Sequence, residues 1–256
     1  MKTIVIIQAR MGASRFPGKM LKPLAGRAVI EWVFDRARVI AGIDQVVVAT
    51  TTAQQDDPLV AFCQSRSIPI QRGSENDVLD RYYQVARPLQ ADAIIRITGD
   101  CPLLDPRESA KVLEAFQRMP ACDYASNNTP ATFPDGLDTE VVSFRALEWM
   151  WTHAREQPYR EHVTYYIRSH LDKFRVVEVA HTPSLAHLRW TLDEAADYRL
   201  LSALTEELGR RQQYGYLEEV LALLRERPEL GAANQHIGRD EGLAKSLREH
   251  PLTAEG

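Results

Sequence analysis

Three cations lie close together in the loop that follows the first apolar run of the chain. Arg10, Arg15 and Lys19 occur within ten residues, among the small residues Gly12 and Ser14. Guanidinium forks and ammonium groups bind phosphate oxygens, and small residues let backbone N–H groups approach the same anion. The loop contains neither a Walker motif nor a dinucleotide-binding GxGxxG motif. It therefore predicts a polyphosphate site of another type, and the alternative is a solvated charged loop.

Two acidic residues could complete such a site. Asp100 lies just beyond the apolar run 93–97, and Asp193 ends a second apolar run. A carboxylate facing a polyphosphate is unfavourable unless Mg²⁺ lies between them, and Mg²⁺ binds one or two carboxylates together with phosphate oxygens. Each aspartate also has an ordinary alternative role as a helix N-cap, although Asp105 fits the cap that follows Asp100 better. We therefore expect Asp100 and Asp193 to be candidate Mg²⁺ ligands.

Two further segments are polar and rich in turns. Gly73 and Asn76 lie where a Gly-Ser turn precedes a helix, an arrangement that could hold part of a nucleotide or could simply start the helix. A second cluster combines the segment 133–140 with the segment 160–162. Loops that carry many charged groups often bind the variable part of a substrate, and the alternative is a solvated turn.

The first half of the chain alternates short apolar strands with amphipathic helices. The pattern predicts strands at 4–7, 45–50, 68–70 and 93–97, and helices at 28–40, 58–67, 76–88 and 105–118. This alternation is typical of a doubly wound α/β sheet with mostly parallel strands. The basic loop and Asp100 should then meet at the carboxyl edge of the sheet.

The second half is more mixed. We predict partly antiparallel strands at 137–142, 174–179 and 188–192, and helices at 145–155, 161–170 and from 195 almost to the end, interrupted near 213–215 and 228–231. The absence of a flexible linker predicts one domain over 1–256. Within it, 1–120 would bind the nucleotide, 121–200 would face the substrate and could form a dimer, and 201–256 would add C-terminal helices.

Composition narrows the class of protein. The formal net charge is −4, so nothing indicates a basic surface for nucleic acid. Cys63, Cys101 and Cys122 are odd in number and lack metal-site spacing, which predicts reduced structural thiols. Without a membrane-length apolar run or an amino-terminal signal sequence, we expect a cytoplasmic protein that does not bind membranes.

Six segments in order resemble the cytidylyltransferase superfamily that makes CMP-activated acid sugars, such as the CMP-Kdo and CMP-sialic acid synthetases. They most resemble its SpsF-type branch, named for spore coat polysaccharide biosynthesis. The segments are QARMGASRFPGKML at 8–21, RGSENDVLDRYY at 72–83, RITGDCPLLDP at 96–106, FPDGLDTEV at 133–141, REHVTYYI at 160–167 and RWTLDEAADY at 189–198.

The resemblance implies a Rossmann-like nucleotidyltransferase fold: a GT-A-like three-layer sandwich with a small antiparallel, substrate-facing subregion. It implies that Mg²⁺ is held by Asp100 and Asp193, which with Arg10 and Lys19 would form the catalytic set. It implies that CTP is bound by Gln8, Ala9, Arg10, Gly12, Arg15, Lys19, Gly73 and Asn76. It implies that an acid-sugar acceptor is bound by Asp135, Asp138, Glu140, Glu161 and His162.

The activity implied is transfer of CMP from CTP to the acceptor, with release of pyrophosphate, in surface polysaccharide or glycoconjugate biosynthesis. One alternative is a glycosyltransferase, although such enzymes usually carry a DxD motif where this chain has Asp100-Cys101-Pro102. The other is a non-catalytic nucleotide-binding protein. A homodimer is a further expectation from the family, and Trp149 and Trp151 would either serve it or belong to the core.

Overall fold

The computed structural model describes residues 1–252; the last four residues of the predicted C-terminal region lie outside this part. Seven of the nine strands form one sheet in the order β5-β4-β1-β6-β8-β7-β9, and β2 and β3 pair as a small antiparallel sheet. The strands are β1 (Thr3–Gln8), β2 (Pro23–Leu24), β3 (Arg27–Ala28), β4 (Gln45–Thr51), β5 (Ile70–Gly73), β6 (Ala93–Thr98), β7 (Tyr124–Ser126), β8 (Glu140–Ser143) and β9 (Val176–Glu178).

Strand direction follows the prediction of a mostly parallel sheet. Strands β5, β4, β1 and β6 run parallel to one another, and β8 runs antiparallel to both β6 and β7. The helices are α1 (Val29–Ala37), α2 (Asp57–Ser65), α3 (Val78–Ala86), α4 (Pro106–Arg118), α5 (Phe144–His153), α6 (Gln157–Glu161), α7 (Tyr165–Ser169), α8 (Ala195–Arg210), α9 (Leu217–Glu226), α10 (Pro228–Gly231) and α11 (Glu241–Glu249).

Helices cover both faces of the sheet because successive strand residues point to opposite sides. Val5 and Ile7 pack in one buried cluster with α1, α2 and α4, and Ile4 and Ile6 pack in another with α3 and α5. This is the expected three-layer sandwich. A third cluster joins α8 and α9 to Trp190 and Leu192, which fixes the segment leading to Asp193.

Five element predictions are wrong in detail. The short strand predicted at 68–70 lies at Ile70–Gly73, and the strand predicted at 137–142 begins only at Glu140. The helix predicted at 161–170 is split into α6 and α7, because the chain turns at His162 and Thr164. Residues 188–192 form no strand; Arg189 makes one isolated parallel bridge to Asp135. Residues 228–231, predicted as an interruption, form the short helix α10.

Several smaller predictions are settled by burial. The three cysteines are free and buried, as expected for structural thiols. No helix within residues 1–252 has the length and apolarity needed to span a membrane. Trp151 stacks on Tyr83 with ring centroids 4.0 Å apart, so it belongs to the fold, whereas Trp149 is partly exposed. Whether Trp149 contacts a second copy of the chain stays a prediction.

Candidate active site

The basic loop and Asp100 emerge side by side from two neighbouring parallel strands. Gln8, at the end of β1, lies opposite Thr98, at the end of β6. The backbone N–H of Gly99 donates to the carbonyl of Gln8 at 2.9 Å. A Cβ atom on Gly99 would lie 2.9 Å from Ala9 Cβ, so the close approach of the two loops requires glycine here. The expected meeting of the two loops is confirmed.

Lys19 joins the two candidate metal ligands. Its Nζ donates to Asp100 Oδ2 at 2.7 Å, to Asp193 Oδ1 at 2.8 Å and to the carbonyl of Leu192 at 2.9 Å. Burial alone would lower the pKa of Lys19, but the two carboxylates raise it above its ordinary value. Burial would raise the pKa of Asp100, yet the Lys19 ammonium lowers it. Lys19 and Asp100 are therefore both charged at neutral pH.

The two arginines of the loop differ in their surroundings. Arg15 lies 3.2 Å from Asp193 Oδ2 and 3.3 Å from Glu194 Oε1, and it also pairs with Glu241. Arg10 is exposed and makes no ion pair with any residue in the range 1–252. Arg15 thus already binds acidic oxygens, as it would bind a phosphate, and Arg10 is an exposed cation that follows the end of β1.

The remaining nucleotide-side candidates line the carboxyl edge of β1 and β5. Gln8 Oε1 accepts a hydrogen bond from the Tyr82 hydroxyl at 3.3 Å, and the Ala9 N–H donates to the carbonyl of Ala49. Gly12 lies against Gln55; Gly73 lies against Arg81, whose Cγ would be 2.8 Å from a Cβ there. Asn76 is exposed, and the N-cap of α3 is the next residue, Asp77.

Asp135 and Asp138 lie beside the Lys19 cluster on its other side. Asp135 Oδ2 is 2.7 Å from Arg189 Nη1, and Asp138 pairs with Arg239. Burial raises the pKa of Asp135 to about 6 and that of Asp138 to about 7, although the arginines oppose the shift. Both carboxylates also contribute, after burial and Asp100, to the raised pKa of Cys101. The backbone links the two loops, since Asp135 donates its N–H to the carbonyl of Leu188 at 2.9 Å and Leu192 donates to the carbonyl of Asp100 at 2.8 Å.

Glu140 belongs to a buried network. Its carboxylate pairs with Arg96 and accepts hydrogen bonds from Tyr124 and from Thr164 Oγ1, the last at 2.7 Å. Burial would raise the pKa of Glu140, but chiefly Arg96 lowers it to about 2. Three side chains of the protein therefore fix this carboxylate, and its binding of an acceptor stays a prediction.

Glu161 and His162 lie at the end of α6. Glu161 Oε2 accepts a hydrogen bond from Ser246 Oγ at 2.8 Å and lies 3.9 Å from His162 Nε2. Burial lowers the pKa of His162, so the imidazole is neutral at pH 7. Its Nε2 is buried and has no hydrogen-bond partner among residues 1–252. These two residues are therefore joined to the C-terminal segment, and His162 offers an unused ring nitrogen.

Asp100 and Asp193 fit a hard divalent cation in chemistry and number. Their oxygens converge within 2.8 Å of one nitrogen atom, that of Lys19. Within the described chain no group of three or more His, Cys, Asp and Glu side chains forms a metal site. Mg²⁺ bound with phosphate oxygens needs only one or two carboxylates, so this pair is sufficient. The N-cap of α8 is Glu194, which leaves Asp193 available.

Two positioning residues were not predicted from the sequence. Asp56 is fully buried and accepts hydrogen bonds from the backbone N–H of Met11 at 2.6 Å and from Thr50 Oγ1 at 3.0 Å, which fixes the start of the basic loop. Arg189 is buried and contacts Asp193 Oδ2 at 2.9 Å as well as Asp135. Arg189 begins one of the quoted segments, but Asp56 stands in no motif.

Comparison with known proteins agrees with this geometry. The family model for cytidylyltransferases matches residues 4–227. The spore coat polysaccharide biosynthesis protein SpsF of Bacillus subtilis is 35% identical over 234 residues, which cover 88% of this chain and 95% of that protein. A cytidylyltransferase structure from Leptospira borgpetersenii serovar Hardjo-bovis is 27% identical, with a TM-score of 0.86 over 93% of this chain and 100% of that one.

A CMP:2-keto-3-deoxy-manno-octonic acid synthetase, solved in complex with CTP, shares the fold. Its TM-score is 0.61 at 21% identity, over 81% of this chain and 99% of that chain. The match to the family model spans most of the chain, and the SpsF relative is similar over nearly its whole length. The chain therefore belongs to the cytidylyltransferase family.

Proposed function

We propose that this protein is a Mg²⁺-dependent cytidylyltransferase that transfers CMP from CTP to an acid sugar or related acceptor and releases pyrophosphate. The observation that carries the proposal is Lys19 Nζ, held at 2.7 and 2.8 Å from Asp100 and Asp193 at the carboxyl edge of the sheet. A cation that would bind phosphate and two carboxylates that would bind a metal meet at one point there. The described residues would act as parts of one domain.

The reaction proposed is attack of an acceptor oxygen on the α-phosphorus of CTP, with cleavage of the bond to the β-phosphate. Such chemistry depends on positioning and on stabilising charge. Arg10, Arg15 and Lys19 would bind the triphosphate and stabilise the charge that develops on the leaving pyrophosphate. Arg15 would exchange its contact with Glu241 for a phosphate oxygen.

The candidate metal site supports the same reaction. Asp100 and Asp193 would hold Mg²⁺, which when bound neutralises charge on the phosphate and acidifies the attacking hydroxyl. Lys19 would keep the two carboxylates aligned and would turn its ammonium toward a phosphate oxygen. Gln8, Ala9, Gly12, Gly73 and Asn76 would frame the nucleotide.

The acceptor side is proposed from its polar lining and from the names of relatives. Asp135 and Asp138 would bind hydroxyl groups of a sugar. The SpsF relative is named for spore coat polysaccharide biosynthesis, and the synthetase of the same fold is named for an acid sugar. We propose a role in surface polysaccharide or glycoconjugate biosynthesis in the cytoplasm, by a homodimer.

The first test is nucleotide binding measured by thermal shift. CTP, UTP, GTP and ATP would each be added with and without Mg²⁺ to the wild type and to Asp100→Asn. A ligand that binds only the folded state raises the melting temperature. We expect a shift that is selective for CTP, larger with Mg²⁺ and reduced in the variant, followed by pyrophosphate release with acid sugars.

Other outcomes identify the alternatives. A shift with nucleotide-sugars but with none of the triphosphates would indicate a glycosyltransferase. A CTP shift without pyrophosphate release from any acid, polyol-acid or phosphonate acceptor would indicate a non-catalytic nucleotide-binding protein. Either result would overturn the proposed reaction.

A further inference from the structure

The C-terminal strap, residues 234–246, returns to the active site after α10. Asn234 Nδ2 donates to Asp197 Oδ1 at 2.8 Å and to the carbonyl of Arg189 at 3.0 Å. Near the other end of the strap, Ser246 Oγ donates to Glu161 Oε2 at 2.8 Å. The strap lies beyond residue 227, where the match to the family model ends.

Two charged side chains of the strap reach opposite sides of the site. Glu241 pairs with Arg15 on the nucleotide side, and Arg239 pairs with Asp138 on the acceptor side. Arg239 Nη1 also donates to the carbonyl of Phe133 at 3.0 Å. The strap therefore adds a guanidinium to the same lining that Asp135 and Asp138 provide.

The other arginines near the acceptor side are less available. Arg189 is 6% exposed and is shared by Asp135, Asp193 and Asp197. Arg96 is 14% exposed and pairs with the fully enclosed Glu140. Arg239 is 19% exposed and is held by one carboxylate that is itself 27% exposed.

The acidic lining of the proposed acceptor site needs a cation if it is to bind an acid. A lining with several carboxylates suits the hydroxyl groups of a sugar but repels a ligand carboxylate. An acid sugar bound there needs a cation for its carboxylate, and a guanidinium fork can take two carboxylate oxygens at once. Arg168 is the other partly exposed arginine, but its ion-pair partner is Asp240, at 3.8 Å, rather than Asp135 or Asp138.

We propose that Arg239 is an acceptor-binding residue whose guanidinium takes the carboxylate of the acid sugar in exchange for Asp138. This inference rests on the proposed function and specifies how its acceptor is selected. Asp138, released from Arg239, would accept a hydrogen bond from a hydroxyl of the same sugar. A sugar that carries both hydroxyls and a carboxylate matches both groups, whereas a neutral sugar matches only the carboxylate lining.

The experiment measures pyrophosphate release with 3-deoxy-manno-octulosonate and with N-acetylneuraminate, using whichever is turned over, and with its C1 amide. For Arg239→Gln we expect the KM for the acid to rise roughly 10–100-fold, the range for losing charged hydrogen bonds. The KM for CTP should stay within about threefold, because this side chain faces the acceptor. Arg239→Lys should recover part of the loss by restoring the charge without the fork.

Two controls separate recognition from a purely structural latch. Ser246→Ala loosens the strap without removing the guanidinium, so the KM for the acid should change by less than about threefold. The C1 amide should be a poor acceptor for the wild type and no poorer for Arg239→Gln, because it has no carboxylate to lose.

Equal losses in Arg239→Gln and Ser246→Ala, or equal losses on the acid and its amide, would overturn the role of Arg239. If the wild type turns over neither acid sugar, the proposed acceptor class fails, and the inference fails with it. The variants therefore test the role of Arg239, and the wild type alone tests the proposed function.

Discussion

Asp100→Asn tests the centre of the site with the smallest change of shape. The amide keeps the size of the side chain but removes one of the two charges that Lys19 contacts. Lys19 would retain Asp193 Oδ1 at 2.8 Å and the Leu192 carbonyl at 2.9 Å. Breaking a buried ion pair outright costs about 3–5 kcal/mol. Because one carboxylate remains, we expect only the value of one charged hydrogen bond, about 1–3 kcal/mol.

That loss is small enough for the variant to stay folded. For a chain of this size it corresponds to a fall in melting temperature of roughly 3–10 °C. Turnover should fall much further, by roughly 10²–10³-fold or more, as for other groups that stabilise charge in a transition state. The assays are calorimetry for the melting temperature and pyrophosphate release at saturating CTP and Mg²⁺ for turnover.

Asp123→Asn provides a matched control. Asp123 is also buried and lies 2.6 Å from an arginine, Arg145, but it precedes β7 at the opposite edge of the sheet. The Asp123→Asn variant should lose a similar free energy of unfolding and keep the turnover of the wild type. Near-wild-type turnover in Asp100→Asn would refute the assignment of Asp100 to the metal and phosphate. An equal loss of turnover in Asp123→Asn would show that destabilisation alone explains the effect.

Two further predictions concern the surroundings of the site. Asp56→Ala should leave the Met11 N–H and the buried hydroxyls of Thr50 and Thr51 without this acceptor, costing at least about 2 kcal/mol. Because the basic loop would lose its anchor, the Kd for CTP measured by calorimetric titration should rise; an unchanged Kd would contradict this. Since the pKa of Asp138 is raised to about 7, the folded state holds a proton that the unfolded state has lost, so this carboxyl's contribution to stability falls as pH rises from about 4 to 7. The melting temperature of Asp138→Asn minus that of the wild type should therefore be larger at pH 8 than at pH 5. The same difference for Asp172→Asn, a variant at an exposed position, should not change in this way.

Local patterns were sufficient to predict the parallel half of the fold. Strands β1, β4 and β6 are short apolar runs bounded by turns, and each helix between them has a clear apolar face, so propensity and burial agree. The apolar pattern gave a wrong strand where the backbone forms its hydrogen bonds with distant loops instead of with a neighbouring strand. Leu192, in the segment 188–192 predicted as a strand, donates its N–H to the carbonyl of Asp100 at 2.8 Å. Within this segment Arg189 alone pairs as in a β-sheet, in one isolated bridge.

The candidate site shows the same division. Lys19 and Asp100 could be chosen because each stands in a local segment whose chemistry is visible without its partner. The contact of Glu241 with Arg15 joins residues separated by 226 positions, and that of Asp56 with Met11 joins residues separated by 45. Neither separation follows a helical or strand period. A single sequence gives no physical reason to pair such residues, because only the folded chain brings them together.

Arg189 makes the two halves of the site depend on each other. Its guanidinium contacts Asp193 on the proposed metal side and Asp135 on the proposed acceptor side. It also pairs with Asp197 in the first turn of α8. A buried guanidinium in this position has little freedom, because its movement would leave the Asp135 carboxylate without its arginine partner in the interior, at a cost of several kcal/mol. Movement of Asp135 toward an acceptor would therefore change the field at Asp193, and a metal bound at Asp193 would weaken the hold of Arg189 on that carboxylate. The geometry thus couples the proposed acceptor loop to the proposed metal ligands through one side chain, with no change of fold required.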